Sequence, residues 1–168
     1  MIRSNALFAE QAQIVAGFVP VNLATAANAG DWVSMKGFSR CTVVFFAAAG
    51  TAGDDPTLTV EQATAVAGTG NKALNFTRLD VKQGSDLAAI GAFTSVTQSA
   101  GNTYTEATSA EAQKIWVLDI KADDLDVDNG YDCVQASISD VGSNAQLGCL
   151  LYILWGARYL PPGSAIAD

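Results

Sequence analysis

The segment Leu147–Tyr159, LGCLLYILWGARY, restricts the fold of this chain more than any other. In a β-strand, successive side chains point to opposite faces, and here both sets of alternate residues are apolar up to Arg158. A membrane helix is a poor interpretation, because the segment has about half the residues that a bilayer span needs and is interrupted by Gly148 and Gly156. We therefore expect a central strand that is covered on one face by the core and on the other by a partner subunit.

The other apolar segments predict an all-β chain. They are short, turn-rich sequences separate them, and no amphipathic helix longer than two turns is recognisable. About eight core strands in this pattern favour an antiparallel β-sandwich, and eight strands in two sheets correspond to a jelly roll. The predicted strands are Gly17–Ala24, Asp31–Lys36, Arg40–Ala48, Thr57–Val66, Ala73–Lys82, Lys114–Lys121, Tyr131–Ser139 and Leu147–Tyr159.

Alternation within these segments predicts which residues face the core. Three inward sets stand out: Leu58 with Val60; Trp116 with Leu118 and Ile120; and Val134 with Ala136 and Ile138. Pro20 assigns the first strand to a sheet edge, since proline cannot donate to a neighbouring strand. Leu74 and Phe76 lie at even positions, whereas Leu79 and Val81 lie at odd positions. A one-residue bulge near Thr77–Arg78 would place both pairs on the same face of the strand, so we expect one there.

The chain divides into an N-terminal arm (1–16), a β-sandwich domain (17–160) and a C-terminal tail (161–168). Residues 84–113 are the most polar third of the chain. They predict a projecting hairpin made of Phe93–Gln98 and Thr103–Thr108 around the turn at 99–102. The arm and the tail are the parts that we expect to reach neighbouring subunits.

The charge pattern argues against nucleic-acid binding. The formal net charge is −8, and the nine basic residues are scattered along the chain without forming a basic stripe. Only 15% of the residues are charged, fewer than usual, which a protein in contact with other subunits tolerates. The three cysteines, Cys41, Cys133 and Cys149, fall in apolar strands and predict free buried thiols. The first residues lack the pattern of a signal peptide, so we expect folding in the cytoplasm.

Catalysis and cofactor binding are not expected. The chain has no histidine, which removes the Ser–His and Cys–His pairs of nucleophilic catalysis. No phosphate-binding loop or zinc-ligand spacing is present. Asp124, Asp126 and Asp128 have the spacing of a calcium loop, but Asn129 and Gln135 occupy the positions of its required Gly and Glu. Capping of a helical turn, followed by a turn at Asn129-Gly130, explains these residues without a metal.

Carbohydrate binding is the alternative function, because exposed aromatic side chains in loops are the usual sugar platform. Tyr104, in the predicted hairpin, is the candidate for that role. Trp116 and Trp155 lie in strand patterns, which favours core packing over ligand contact. Trp32 is the least certain of the three tryptophans.

Several runs of the chain resemble small head proteins of tailed bacteriophages, which are encoded beside the major capsid protein and decorate, or cement, the outer shell. These runs cover nearly the whole length and comprise Trp32–Phe46 (with Trp32, Val33, Lys36 and the segment Arg40–Phe46), Gly53–Ala63 (GDDPTLTVEQA), Gly130-Tyr131-Asp132 and Leu151–Pro161.

The resemblance implies a jelly-roll or related β-sandwich that forms homotrimers at threefold positions between capsomers. The expected partner is the major capsid protein, and the expected location is the outer surface of a virion assembled in the bacterial cytoplasm. An acidic net charge suits an outward surface rather than one that faces DNA. A structural virion protein is therefore the expected function, and a carbohydrate-binding or host-attachment module of a phage virion is the alternative.

Overall fold

The computed structural model describes residues 7–88, 91–106 and 112–158. These residues form two antiparallel sheets that pack as a sandwich, which confirms the predicted all-β class. The strands are β1 (Ala12–Asn22), β2 (Asn28–Ala29), β3 (Val33–Ser34), β4 (Phe38–Ala47), β5 (Thr57–Ala63), β6 (Lys72–Ala73), β7 (Phe76–Gly84), β8 (Thr94–Gly101), β9 (Thr103–Thr105), β10 (Gln113–Lys121), β11 (Cys133–Ile138) and β12 (Leu147–Ala157).

The strand order is that of a jelly roll. Sheet A runs β1-β12-β4-β10-β7-β8, and sheet B runs β2-β11-β5-β6, with β3 also paired to β11 and β9 to β5. The main path of the chain alternates between the sheets, and β7 and β8 extend sheet A beyond β10. Eight of the described strands have six or more residues. Seven of them correspond to predicted core strands and the eighth is β8, whereas the predicted strand Asp31–Lys36 is reduced to the two residues of β3.

Helical structure in the described ranges is limited to short turns. They are the α-helical turn α1 (Phe8–Gln11) and two 3₁₀ turns, Ala122–Asp124 and Val127–Asn129. No helix in this part of the chain has the length and apolar character to cross a membrane. Gly130 ends the second 3₁₀ turn with φ 81°, a left-handed conformation that glycine adopts without strain.

The core contains the residues that alternation assigned to it. All three predicted inward sets are buried, and Phe45 and Trp116 contact each other with ring centroids 5.0 Å apart. The predicted bulge is confirmed as a register shift between Phe76 and Arg78 in the pairing of β7 with β8. One charged pair lies inside the fold: Lys114, 0% exposed, is 3.3 Å from the Glu106 carboxylate.

One predicted domain boundary differs from the structure. Pro20 does lie in an edge strand, but β1 begins at Ala12, so the last five residues of the predicted N-terminal arm belong to sheet A. Their apolar residues, Ile14 and Val15, pair with β12. Residues 1–6 of the arm and the whole predicted tail, 161–168, lie outside the described residues.

The prediction of a projecting hairpin is wrong. β8 pairs with β7 at the edge of sheet A, whereas β9 pairs with β5 in sheet B, so the two strands belong to different sheets. The physical reason is that both strands carry a side chain that packs against the core, Val96 in β8 and Tyr104 in β9. The predicted second arm extends to Thr108, and its last two residues fall outside the described ranges.

The sheet edges in the described ranges are blunted in different ways. In sheet B, the edge strands β2, β3, β6 and β9 are two or three residues long. In sheet A, β8 has the polar sequence TSVTQSAG, and β1 has register shifts on both sides of Phe18 as well as Pro20. Short, polar or irregular edges offer little backbone for pairing with another chain.

Candidate protein-interaction surface

The outer face of sheet A carries a continuous group of apolar side chains. Residues that pair across antiparallel strands point to the same side of the sheet, so the register defines this face directly. Leu151 of β12 pairs with Val44 of β4, which in turn pairs with Val117 of β10. We call the whole group the apolar patch: Ile14, Ala16, Val44, Phe46, Ile115, Val117, Leu147, Cys149, Leu151 and Ile153.

The described part of the chain leaves this patch open to solvent. Ile14, Phe46 and Leu147 are 52%, 46% and 59% exposed, and the members at its centre are half-buried. The alternate residues of the same strands, such as Phe45 and Leu150, are fully buried against sheet B. The two-faced apolar pattern of β12 is therefore covered on its inner face only.

A network of polar side chains borders the patch at one end. The Trp155 indole Nε1 donates to Thr42 Oγ1 at 2.9 Å, and Thr42 Oγ1 donates to Asp119 Oδ1 at 2.9 Å. The Arg40 guanidinium binds the other Asp119 oxygen at 2.8 Å and lies 5.6 Å from the centroid of the Trp155 ring. Hydrogen bonds and an ion pair thus link these four side chains across three strands.

β7 forms a second border of the patch. Arg78, Asp80 and Lys82 share its outer face, as shown by the pairing of Asp80 with Val117 and of Lys82 with Ile115. Arg78 donates to Asp80 at 3.0 Å. This hydrogen bond, followed by one from Ser95, holds the pKa of the Asp80 carboxyl below its usual value.

The outer face of sheet B is polar. Its two central strands present Thr57, Thr59 and Glu61 from β5 and Gln135 and Ser137 from β11. Gln135 pairs with Glu61 and Ser137 with Thr59, so polar residues stand side by side across the sheet. One face of the sandwich thus suits water, whereas the opposite face suits a partner.

A depression of about 210 Å³ lies at the end of the apolar patch away from Arg40. Its lining includes Phe46, Leu147 and Cys149 from the patch, together with Pro20. Small-molecule pockets usually have volumes of about 300–1,000 Å³, so this depression is better suited to a single side chain of a partner. Burial raises the pKa of the Cys149 thiol, which is the least buried of the three cysteines.

The acidic loop has the capping geometry that the sequence predicted. Asp124 accepts a hydrogen bond from the Lys121 backbone N–H at 2.9 Å, and Asp126 contacts Lys72 and Asn129. The Lys72 hydrogen bond, and then that of Asn129, lowers the pKa of Asp126. Within the described ranges, no group of three or more His, Cys, Asp or Glu side chains is arranged to hold a metal ion.

The candidate sugar platform is not available at Tyr104. Its ring packs edge-to-face on Trp116, with centroids 5.0 Å apart and an angle of 80° between the planes. Trp116 is buried, as predicted, but Trp155 lies half-buried on the outer face of sheet A and is not a core residue. Trp32 is half-buried against the turn at Gly68, where a Cβ atom would come within 2.7 Å of its Nε1.

The outer face of sheet A was only partly predictable from the sequence. The double-sided apolar pattern of β12 indicated that a partner was needed, but it named no residues on the neighbouring strands. Val44 and Val117 join Leu151 only through the pairing of β4 with β12 and β10, which links residues far apart in the chain. The signal available in the sequence was that the outward-facing alternate residues of β4 and β10 are also apolar.

Comparisons with known proteins add little to this geometry. No family model matches the chain, and no curated protein matches it. Among solved structures, the SPBc2 prophage-derived protein YomS aligns with a TM-score of 0.41 and 11% identity over 84% of this chain and 92% of that chain. A similarity at this level carries no argument about function.

Proposed function

We propose that this chain is a non-enzymatic structural protein of a tailed-phage virion. In this proposal it decorates and stabilises the outer capsid surface as a homotrimer, with the major capsid protein as its partner. The observation that carries the proposal is the apolar patch, because a large exposed apolar area marks an interaction surface, and a decoration protein that acts as a homotrimer requires one. The resemblance to phage head proteins is the reason for naming a tailed-phage capsid as the shell. A jelly roll is compatible with a capsid decoration protein.

In this proposal the protein stabilises the shell mechanically. Each copy contributes contacts of modest strength, and their repetition over the shell adds up to a large resistance against internal DNA pressure. A rigid sandwich suits this task, since its two sheets keep the contact surfaces in fixed relative positions. The net charge of −8 favours a location outside the shell, away from packaged DNA.

The chemistry of the described residues supports a non-enzymatic role. The sequence has no histidine, and the thiols of Cys41 and Cys133 are buried with raised pKa values, which disfavours the nucleophilic thiolate. Asp80, Asp119 and Asp126 are engaged in ion pairs with Arg78, Arg40 and Lys72.

The direct test is binding to undecorated heads. Expanded heads are prepared from the phage that encodes this protein after deletion of its gene. Purified protein is added to these heads, and the heads are then sedimented. We expect saturable co-sedimentation and an increase in the temperature at which the heads release DNA. Heads that already carry the protein serve as the blocked control. Absence of binding to the undecorated heads would overturn the proposal.

A further inference from the structure

We infer that the apolar patch is the surface through which one copy of this chain contacts a second copy. The inference rests on the proposed function, which includes a homo-oligomer, and it names the surface that the assembly uses. It also implies that the shell is contacted by other parts of the protein. Three properties of the outer face of sheet A support a sister copy as the occupant: its charge, its size and the state of its polar groups.

The charge of this face differs from that of the rest of the molecule. Of the charged residues that the structure describes, four of the eight basic ones but only two of the fifteen acidic ones lie on it: Arg40, Arg78, Lys82 and Lys121 with Asp80 and Asp119. The rest of the chain is therefore strongly acidic. Contact between the acidic surfaces of two copies would bring like charges together. The basic rim of this face can instead lie against an acidic surface of the next copy, and such a contact of unlike surfaces closes a ring of three copies.

The size of the face matches what a stable subunit contact requires. From β1 to β7 it spans five strands, which with the eleven residues of β12 gives roughly 25 Å by 35 Å from the ordinary strand spacing and rise. This projected area, about 900 Å² by the same strand dimensions, is comparable with the ~800 Å² per partner of a standard interface. The apolar patch forms the centre and the charged side chains form the rim, which is the usual anatomy of an interface.

The polar groups at the border can be covered at little cost. The Trp155 indole, the Thr42 hydroxyl and the Asp119 carboxylate already have partners within the chain. Burying such groups is expensive only when they lose their hydrogen bonds, so a sister copy could cover this border without leaving an unsatisfied group. Charges of both signs at the rim also allow ion pairs between copies.

Cys149 offers a built-in probe of this contact. It lies in the apolar patch and is half-buried in the single chain, whereas Cys41 and Cys133 are buried in the folded chain. In an assembly that buries the patch, a thiol reagent reaches Cys149 only when the copies separate. The other two cysteines report unfolding and therefore act as internal controls.

The experiment compares the native protein with two variants by absolute mass and by reaction with Ellman's reagent. Leu151→Glu places a charge at the centre of the patch, and Thr59→Glu makes a matched change at a half-buried outward position of sheet B. We expect the native protein and Thr59→Glu to have a mass of about three times 17.4 kDa, and Leu151→Glu to be a 17.4 kDa monomer. Cys149 should react at least about tenfold faster in Leu151→Glu, a ratio that corresponds to about 1.4 kcal/mol of lost protection.

The outcomes separate the inference about the apolar patch from the proposal of capsid decoration. A native protein that is monomeric, or a Leu151→Glu variant that keeps the native mass, would overturn the inference about the patch. If the monomer still binds undecorated heads, decoration stands without the sister contact. If the native oligomer forms but does not bind heads, the contact stands and decoration fails. Should Leu151→Glu not fold, dilution of the native protein provides the same test, because Cys149 labelling must then accelerate as the assembly dissociates.

Discussion

The Tyr152 hydroxyl and the Ala136 backbone join the two sheets through the middle of the core. Ala136 N–H donates to Tyr152 Oη at 2.8 Å, and the same hydroxyl donates to the Ala136 carbonyl oxygen at 3.3 Å. Tyr152 lies on β12 and Ala136 on β11, so these polar bonds connect the two sheets within the apolar core. Burial raises the pKa of Tyr152, which keeps it in the hydroxyl form that makes both bonds.

Removal of this hydroxyl should destabilise the fold. We expect Tyr152→Phe to lower the free energy of unfolding by about 1–3 kcal/mol, because it leaves the buried Ala136 N–H without its partner. Urea denaturation at neutral pH measures the difference. Tyr131→Phe is the matched control, since its hydroxyl bonds to the Gly70 carbonyl oxygen at an exposed site, and we expect a smaller loss. Equal losses in the two variants would contradict the importance of the bond between the sheets.

Gly30 is required by the same contact. A Cβ atom at this position would lie 2.5 Å from the Ala136 carbonyl oxygen and 2.6 Å from Tyr152 Oη. We therefore expect Gly30→Ala to cost about 1–3 kcal/mol in thermal or urea unfolding, because the backbone and the hydroxyl must move apart. Gly37→Ala is the control, since a Cβ atom added there would meet nothing within 4 Å. The double variant with Tyr152→Phe should lose less than the sum of the single losses, since one of the two clashes disappears.

The buried ion pair should respond much more strongly to mutation than an exposed one. Lys114→Met removes the ammonium group that lies beside the Glu106 carboxylate, which is 6% exposed. We expect the free energy of unfolding to fall by about 3–5 kcal/mol. Lys36→Met makes the same change in the pair with Asp132, where the lysine is 80% exposed, and the expected loss is at most about 1 kcal/mol. Chemical denaturation of both variants gives the comparison. Similar losses would show that the interior pair is not a structural requirement.

Asp126 should make part of the stability depend on acid pH. Its pKa is lowered in the folded protein, mainly by the hydrogen bond from Lys72, so folding favours its ionised form. The resulting stabilisation is complete above the ordinary Asp pKa of about 3.9 and is lost as the pH falls through the lower folded value. Unfolding free energies measured between pH 7 and the acid limit should therefore fall less steeply in Asp126→Asn than in the native protein.

Lys72→Met tests the cause of that dependence. Removing the ammonium should raise the folded pKa of Asp126 towards its ordinary value and flatten the acid limb in the same way. An unchanged acid limb in both variants would show that other carboxylates account for it.

Much of the fold was predictable because it depends on local alternation. The inward parities of β5, β10 and β11 follow from the period of two in a strand, and Pro20 indicated an edge. The bulge at Phe76–Arg78 was visible as a change of parity. These features require no knowledge of which strands pair.

The features that were missed depend on pairing between distant segments. The sequence around residues 99–102 has a hairpin composition, but the core contacts of Val96 and Tyr104 place β8 and β9 in different sheets. The border network at Trp155 brings together Thr42 and Asp119, which are 77 positions apart in the chain. Nothing local in the sequence specifies such a contact.

The blunted edges of both sheets have a consequence for a protein displayed at high density. Crowded copies with long, regular edge strands would add to one another strand by strand and grow into fibrils. Here the edge strands of sheet B have two or three residues and β1 is irregular, so these edges offer little backbone for such growth. The longer edge strand β8 has a polar sequence with few of the apolar side chains that stack in fibrils. In the proposed assembly, association is therefore directed to the side chains of one sheet face rather than to the strand edges.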